Sequence, residues 1–144
     1  ERFPGLRVIV VLGGANPHRR SLSEYVASQL GNVQIEENVS RFAELMAWAD
    51  AGLVSSGTTA WEACAMGLPV VVVPIVENQR NTAEFLLRAG AAVIVNLDFS
   101  PADLSNSVQG LLCSLEVRRQ LSSRARALVD MDGARRVVAA TFLS

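Results

Sequence analysis

The segment Ser55-Ser56-Gly57-Thr58-Thr59 sets four hydroxyl side chains around one glycine, between an apolar run closing at Leu53-Val54 and a short helical pattern from Ala60 to Met66. Gly67 stops that pattern, and Leu68-Pro69 leads into Val70 to Val73. The order is strand, loop, helix, strand. The first amides of a helix lack intrahelical acceptors and the helix dipole favours negative charge beside them, so the loop is an anion site, with phosphate the expected occupant. Glu62 falls in the first turn of the predicted helix. Its carboxylate has two compatible roles: complementing the positive helix end, or accepting protons from both hydroxyls of a ribose.

A second polar patch, Glu77-Asn78-Gln79-Arg80-Asn81, follows the next strand. The Asn78 and Gln79 amides both donate and accept, which suits sugar hydroxyls and phosphate oxygens, although Asn also serves turns and helix caps without any ligand. Glu77 reads equally as first-turn charge, and Arg80 as a phosphate clamp or a solvated cation. Gly13-Gly14 brings backbone close to a ligand or simply makes a sharp turn. No Gly-x-Gly-x-x-Gly is present, which counts against a dinucleotide-binding domain.

His18 is the sole histidine. It stands in Asn16-Pro17-His18-Arg19-Arg20, a solvated helix entry without adjacent Asp or Glu, so neither a metal cluster nor a catalytic triad assembles from nearby sequence. Trp48 and Trp61 lie at apolar helical spacing and are expected in the core or at a domain interface. Cys64 and Cys113 each fall in an apolar helical pattern, where a free thiol behaves as a small hydrophobe; that usage points to a reducing compartment.

Positioning these residues requires alternating elements. Arg7 to Leu12 is a β-branched run without polar alternation, as for a strand buried on both faces of a parallel sheet. A helical pattern carried by Leu22, Tyr25, Val26 and Leu30 follows, stopped by Gly31-Asn32. Val33 to Ile35 is a second strand and Glu36 to Ser40 a loop. Arg41 to Ala49 reads as a helix capped by Ser40, with Glu44 nearby. Ala51 to Val54, Pro69 to Val73 and Ala91 to Val95 are further strands.

Between the last two of these strands lies a helix bearing Ala83, Phe85, Leu86 and Leu87, ended by Gly90. Ser100 with Pro101 opens a helix reaching Leu115. Glu116 to Val129 and Gly133 to Phe142 complete the chain. Five strands separated by helices imply an α/β fold with a doubly wound, Rossmann-like parallel sheet. Ligands of such sheets bind beyond the carboxyl ends of the strands. The Gly13-Gly14, Ser55–Thr59 and Glu77–Asn81 loops all follow strands and are expected to converge on one edge.

The 144 residues suit one domain with a real core, half apolar and 19% charged, which argues against disorder. A net charge of −1 gives no sign of a nucleic-acid groove or an anionic membrane partner. Every basic residue but His18 is Arg, so a Walker-type or Schiff-base lysine is excluded. No stretch is long and apolar enough to span a bilayer. With no initiator Met, and Glu1 to Leu6 reading as a linker into a strand, the chain is expected to be a fragment preceded by a second domain.

Ala47-Trp48-Ala49-Asp50, Ser55 to Glu62, Gly67-Leu68-Pro69 and Glu77-Asn78-Gln79 together resemble the carboxyl-terminal domain of a GT-B nucleotide-sugar enzyme. The likeness runs from Val8 to about Gly90 and is strongest from Ala47 to Gln79. Trp61-Glu62 and Glu77-Asn78-Gln79 favour the UDP-sugar hydrolase of pseudaminic acid synthesis and its spore-coat polysaccharide relatives. The MurG-like N-acetylglucosaminyltransferases share the Ala-Trp-Ala-Asp and glutamate positions but carry a different polar loop.

The resemblance implies that residues 1–144 are a UDP-sugar-binding domain. Backbone at Val39 and Ser40 would hold uracil, Gly57, Thr58 and Thr59 the diphosphate, Glu62 the ribose, and Asn78 and Gln79 phosphate and sugar, with Gly14 in an amino-terminal loop of the cleft. It implies a cytoplasmic enzyme, hydrolase or glycosyltransferase, whose partners are the UDP-sugar and the protein's own missing amino-terminal domain, with no metal or other cofactor. The hydrolase base would be a histidine of that domain, which His18 does not match, so the isolated domain is expected to be inactive. A non-catalytic nucleotide-binding module on the same fold is the alternative from another class.

Overall fold

The computed structural model describes residues 3–29 and 31–142. Leu30, assigned above to the first helix, and the first two residues of the expected linker lie outside them. The chain divides into two compact units between Phe42 and Ala43.

In the first unit, β1 (Val8–Leu12) leads through a glycine turn to α1 (Arg19–Gln29) and back to β2 (Val33–Glu37). The strands pair in parallel, Val8 opposite Val33 and Leu12 opposite Glu37. β2 is two residues longer than expected, because Glu36 and Glu37 take part in the ladder rather than the loop. Leu12 alone of β1 is buried, and Val11 is 37% exposed, so β1 is not covered on both faces within this unit. Among the described residues its ladder partner is β2.

The second unit is built on β4 (Val70–Val73), the middle strand of the parallel order β3-β4-β5, with β3 Gly52–Ser55 and β5 Val93–Ile94. All four valines are buried, as a strand flanked on both sides and covered on both faces requires. Val71 and Val73 join Val95, Leu111 and Leu121 in a core that Ala51, Val93, Leu104 and Val108 extend.

The helices of this unit are α2 (Phe42–Trp48), whose first residue belongs to the first unit, then α3 (Thr58–Met66), α4 (Arg80–Arg88), α5 (Pro101–Cys113), α6 (Leu115–Leu128) and α7 (Gly133–Phe142). A one-turn 3-10 helix, Glu77–Gln79, precedes α4. Parallel ladders joined by helices are the α/β arrangement expected. None of the helices among the described residues is long and apolar enough to cross a membrane.

Local signals explain most helix ends. Ser100 and Asp103 form the full capping box at the start of α5, with Pro101 at the first helical position. Ser114 ends α5, where one long helix to Leu115 was expected, and its hydroxyl accepts from the Val117 amide to start α6. α2 begins at Phe42, two residues beyond Ser40, so Ser40 is not its cap. Gly67 closes α3 in the left-handed region, φ 67°, returning its amide to the Ala63 and Cys64 carbonyls. Arg126 of α6 lies across that glycine and donates to the Met66 carbonyl at 3.0 Å. Arg124 lies likewise over Gly90.

Trp48, expected in the core or at a domain interface, is 46% exposed and so outside the core. Cys113 is also exposed, at the last turn of α5, and does not act as a core residue. Cys64 does; burial raises its thiol pKa and keeps it protonated.

Two outcomes are expected. Gly67→Ala places a side chain both at positive φ and into Arg126, and should lower stability by about 1–2 kcal/mol, read as a fall in the urea midpoint with unchanged slope. Asp103 is held below the usual carboxylate range by its hydrogen bonds from the Ser100 hydroxyl and amide. A depressed folded-state pKa stabilises above the unfolded value of about 3.9 and loses that contribution as pH falls through the folded value. Ser100→Ala should therefore flatten the acid limb of the stability–pH curve, measured by thermal melts from pH 2 to 6.

Candidate functional site

The helix after β3 starts at Thr58, two residues earlier than its apolar pattern indicated. Gly57 is its N-cap residue, in extended backbone (φ −90°, ψ −154°), and no side chain caps the helix. A Ser or Asn at this position would fold its own oxygen back onto the second or third amide; glycine has none to offer. The amides of Thr58 and Thr59, the first two helical residues, are thereby left for an outside acceptor. The Ala60 amide turns back to the Gly57 carbonyl at 3.2 Å.

The earlier start moves Glu62 into the second turn, so α3 has no acidic residue in its first turn. The reading of Glu62 as a complement to the helix N-terminus falls accordingly. Glu62 stands four residues after Thr58, hence on the same helix face, with Cβ atoms about 5–6 Å apart. It is exposed and, among the described residues, has neither ion-pair nor hydrogen-bond partner. A free carboxylate one turn along from open amides can take hydroxyl protons beside a bound anion.

The loop after β4 meets this mouth. A methyl group placed on Gly57 would lie 3.5 Å from Gln79 Nε2 and 3.8 Å from Ser55 Oγ. Gln79 is fixed by two bonds: its backbone amide donates to the Val76 carbonyl at 3.0 Å, and its Oε1 accepts from the Ile75 amide at 3.0 Å. Asn78 is exposed on the same 3-10 turn. Glu77 and Arg80 pair with each other at 2.8 Å on the surface. Arg80 is thus engaged by Glu77 through Nε in an exposed pair, which is weak. The two loops expected to converge from β3 and β4 therefore do so through Gly57 and Gln79.

Gly14, Val39 and Ser40 belong to the first unit. Gly14 faces the Asn38 side chain, whose Oδ1 would stand 2.7 Å from a Cβ there, so the loops after β1 and β2 touch and a side chain at position 14 would displace the Asn38 amide. Asn38 itself takes φ 50°, a conformation Asn tolerates. Val39 is half-buried and Ser40 exposed in the turn that follows. His18 sits at the entry of α1 as expected, its amide bonded to Asn16 Oδ1 at 2.8 Å and its carbonyl accepting from Ser21 and Leu22.

Two residues went unassigned in the sequence although they lie within the loop. Ser55 Oγ is the second polar group beside Gly57. Ser56 is 2% exposed, and its hydroxyl finds no partner among the described residues, an uncommon state for a buried oxygen. Four neighbouring hydroxyls look alike in sequence; only the turn decides which face the mouth. Trp61 packs on Phe85 with ring centroids 5.7 Å apart, which ties α3 to α4 beside the site. Among the described residues no three His, Cys, Asp or Glu side chains gather as metal ligands.

Residues 5–136 match the model of the glycosyltransferase family 28 C-terminal domain. The chain belongs to that family. Spore coat polysaccharide biosynthesis protein SpsG of Bacillus subtilis (strain 168) is 31% identical over 134 residues, covering 92% of this chain and 39% of that protein. UDP-N-acetylglucosamine--N-acetylmuramyl-(pentapeptide) pyrophosphoryl-undecaprenol N-acetylglucosamine transferase of Xanthomonas axonopodis pv. citri (strain 306) is 34% identical over 125 residues, 82% of this chain and 29% of that one.

Among solved structures, MurG of Acinetobacter baumannii superposes with a TM-score of 0.75 at 19% identity, over 97% of this chain and 42% of its own. WaaG, a glycosyltransferase involved in lipopolysaccharide biosynthesis, gives 0.71 at 22%, over 96% and 38%. At such identities the structures establish the fold, that of a GT-B carboxyl-terminal domain. This family 28 chain spans about two fifths or less of the length of these relatives.

Gly57 needs no special backbone angle, and an added methyl meets only ordinary contacts. Gly57→Ala should therefore still fold, melting somewhat below wild type because alanine is a poorer N-cap residue than glycine. A methyl beside Gln79 Nε2 and Ser55 Oγ narrows this loop, and affinity for a diphosphate such as that of UDP, read by titration calorimetry, should fall about tenfold, ~1.4 kcal/mol.

Proposed function

We propose that this chain is the nucleotide-sugar-binding half of a two-domain enzyme that cleaves a UDP-sugar at the anomeric carbon, with water as the acceptor and UDP as the leaving group. The reading rests on one observation: the uncapped amino terminus of α3, with an unpartnered Glu62 on the same face one turn along. A diphosphate satisfies the Thr58 and Thr59 amides, and the adjoining ribose presents its two hydroxyls to Glu62. The helix amides stabilise the charge that grows on the departing diphosphate, the part of such a reaction that fixed dipoles accelerate most. On the strength of the resemblance, backbone at Val39 and Ser40 serves uracil and Gly14 belongs to a cleft loop. Asn78, exposed beside Gln79, is assigned to the sugar.

The choice of water is supported by Trp61-Glu62 and Glu77-Asn78-Gln79, at which the chain resembles the hydrolase type, and the link to surface polysaccharide by the likeness to the spore coat polysaccharide biosynthesis protein SpsG. The base that activates water comes from the other domain, so the isolated chain binds without turnover, in a cytoplasmic enzyme of surface polysaccharide or nonulosonic acid synthesis. Transfer to an acceptor sugar is the second reading. It is favoured by 34% identity to an N-acetylglucosamine transferase.

Calorimetry with UDP, UMP and GDP should show a clear preference for UDP. Glu62→Ala should weaken UDP binding tenfold or more, since a hydrogen bond to a charged group is worth about 1.5–3 kcal/mol. Equal affinity for UDP and GDP, or a Glu62→Ala chain that binds like wild type, removes the assignment. UDP release from a UDP-sugar by the complete enzyme in the absence of any acceptor separates hydrolase from transferase.

A further inference from the structure

The helices α2 to α6 each bury at least one side chain, whereas α7 buries none among its described residues. Its apolar face, formed by Ala134, Val137, Val138 and Phe142 at three- and four-residue spacing, stands open to water, with Val137 66% and Phe142 77% exposed. Composition gives α7 little support, because Gly133, Val137, Val138 and Thr141 are poor helix formers. A ten-residue helix of this kind without packing lies near the balance between helix and coil. What holds it must therefore act at its root.

The root is a polar turn. Met131, in the left-handed region at φ 62°, reverses the chain between α6 and α7. The Asp130 carboxylate spans that turn: one oxygen accepts from the Asp132 amide at 3.0 Å and the other from Arg136 Nη1 at 2.6 Å. Asp132 pairs with Arg135 at 2.8 Å, and its carbonyl accepts from the Arg136 amide at 3.0 Å. These contacts fix the first turn of α7, the costly step of helix formation, and set two carboxylates where the helix dipole favours them. Beneath the turn a cavity of about 310 Å³, walled in part by Ala127, Leu128, Val129 and Met131, is open rather than packed, so apolar contact does not do this work.

We infer that α7 is a conditionally folded arm: the Asp130–Arg136 clasp, backed by Asp132–Arg135, nucleates it, and opening the clasp melts α7 while the rest of the second unit stays folded. An exposed ion pair is weak. Against a packed helix such a pair would be lost in the total, but against an element near balance it decides the outcome. The face of Val137, Val138 and Phe142 is thus presented as a helix only while the clasp is closed, and ionic strength alone can open it. Local opening of this kind, with the core intact, is how the least packed segments of folded proteins behave.

Hydrogen exchange of single amides, followed by NMR in the chain of 144 residues, tests this in wild type, Asp130→Asn, Arg136→Gln and the double variant. In wild type the α7 amides should be protected, though far less than those of α6. Each single variant should lower α7 protection about two- to fivefold and leave α6 unchanged, the range that a weak exposed pair allows. The double variant should lower it no further than either single one, because both remove the same contact. Salt at ~1 M, where charges are screened beyond about 3 Å, should bring wild type down to the Asp130→Asn level and leave Asp130→Asn unchanged. Protection of α7 that equals that of α6, that is absent in wild type, that ignores both substitutions, or that falls additively in the double variant overturns the clasp as the nucleus of α7.

Discussion

The second unit is organised around a helix that is closed at one end and open at the other. At the back of α3, Gly67 in the left-handed region and the guanidinium of Arg126 satisfy the carbonyls of the last turn. At the front, Gly57 offers no cap. The unsatisfied amides are kept in place by burial: Ala60, Ala63 and Cys64 have no exposed surface, and β4 beside them is wholly interior. The cost of holding polar groups open is thus carried by apolar packing, about 25 cal/mol for each Å² removed from water. Preorganised dipoles of this kind need no rearrangement when charge arrives.

Around that opening the contributions divide by chemistry. The β3 loop supplies main-chain donors and hydroxyls, the β4 loop supplies an amide held by its own backbone, and the helix itself supplies a carboxylate one turn away. The Glu62 carboxylate brings a formal charge, and Arg80 and Glu77 nearby bring two opposite ones that pair with each other. Neutral donors of this kind can hold an anion without the desolvation that a buried guanidinium would incur.

Much of this was legible in the residues. Four consecutive valines after Pro69 mark a strand covered on both faces, and it is the central one. Ser100-Pro101 with Asp103 marks a helix start to the residue, because a capping box is local chemistry. Where chemistry was not local, reading failed. The start of α3 was placed at Ala60 because two threonines carry no apolar signal, yet they are its first turn, and the shift moved Glu62 along the helix. An apolar run also says less than it suggests: β1 resembles β4 in composition, yet within the first unit only its last residue, Leu12, is buried. Trp48 and Cys113 sat at apolar spacing and are nonetheless exposed, since periodicity names a face without saying what covers it. The orientation of Gln79 belongs to a hydrogen bond between residues four apart, which no residue type announces.

Arg124 and Arg126 give the second unit a mechanical property. One rests over Gly90 behind α4 and the other over Gly67 behind α3, and both grow from α6. The helices that follow the β3 and β4 loops therefore end against side chains of one element, so a change in α6 that shortens Arg124 or Arg126 alters the surroundings of two helix ends at once.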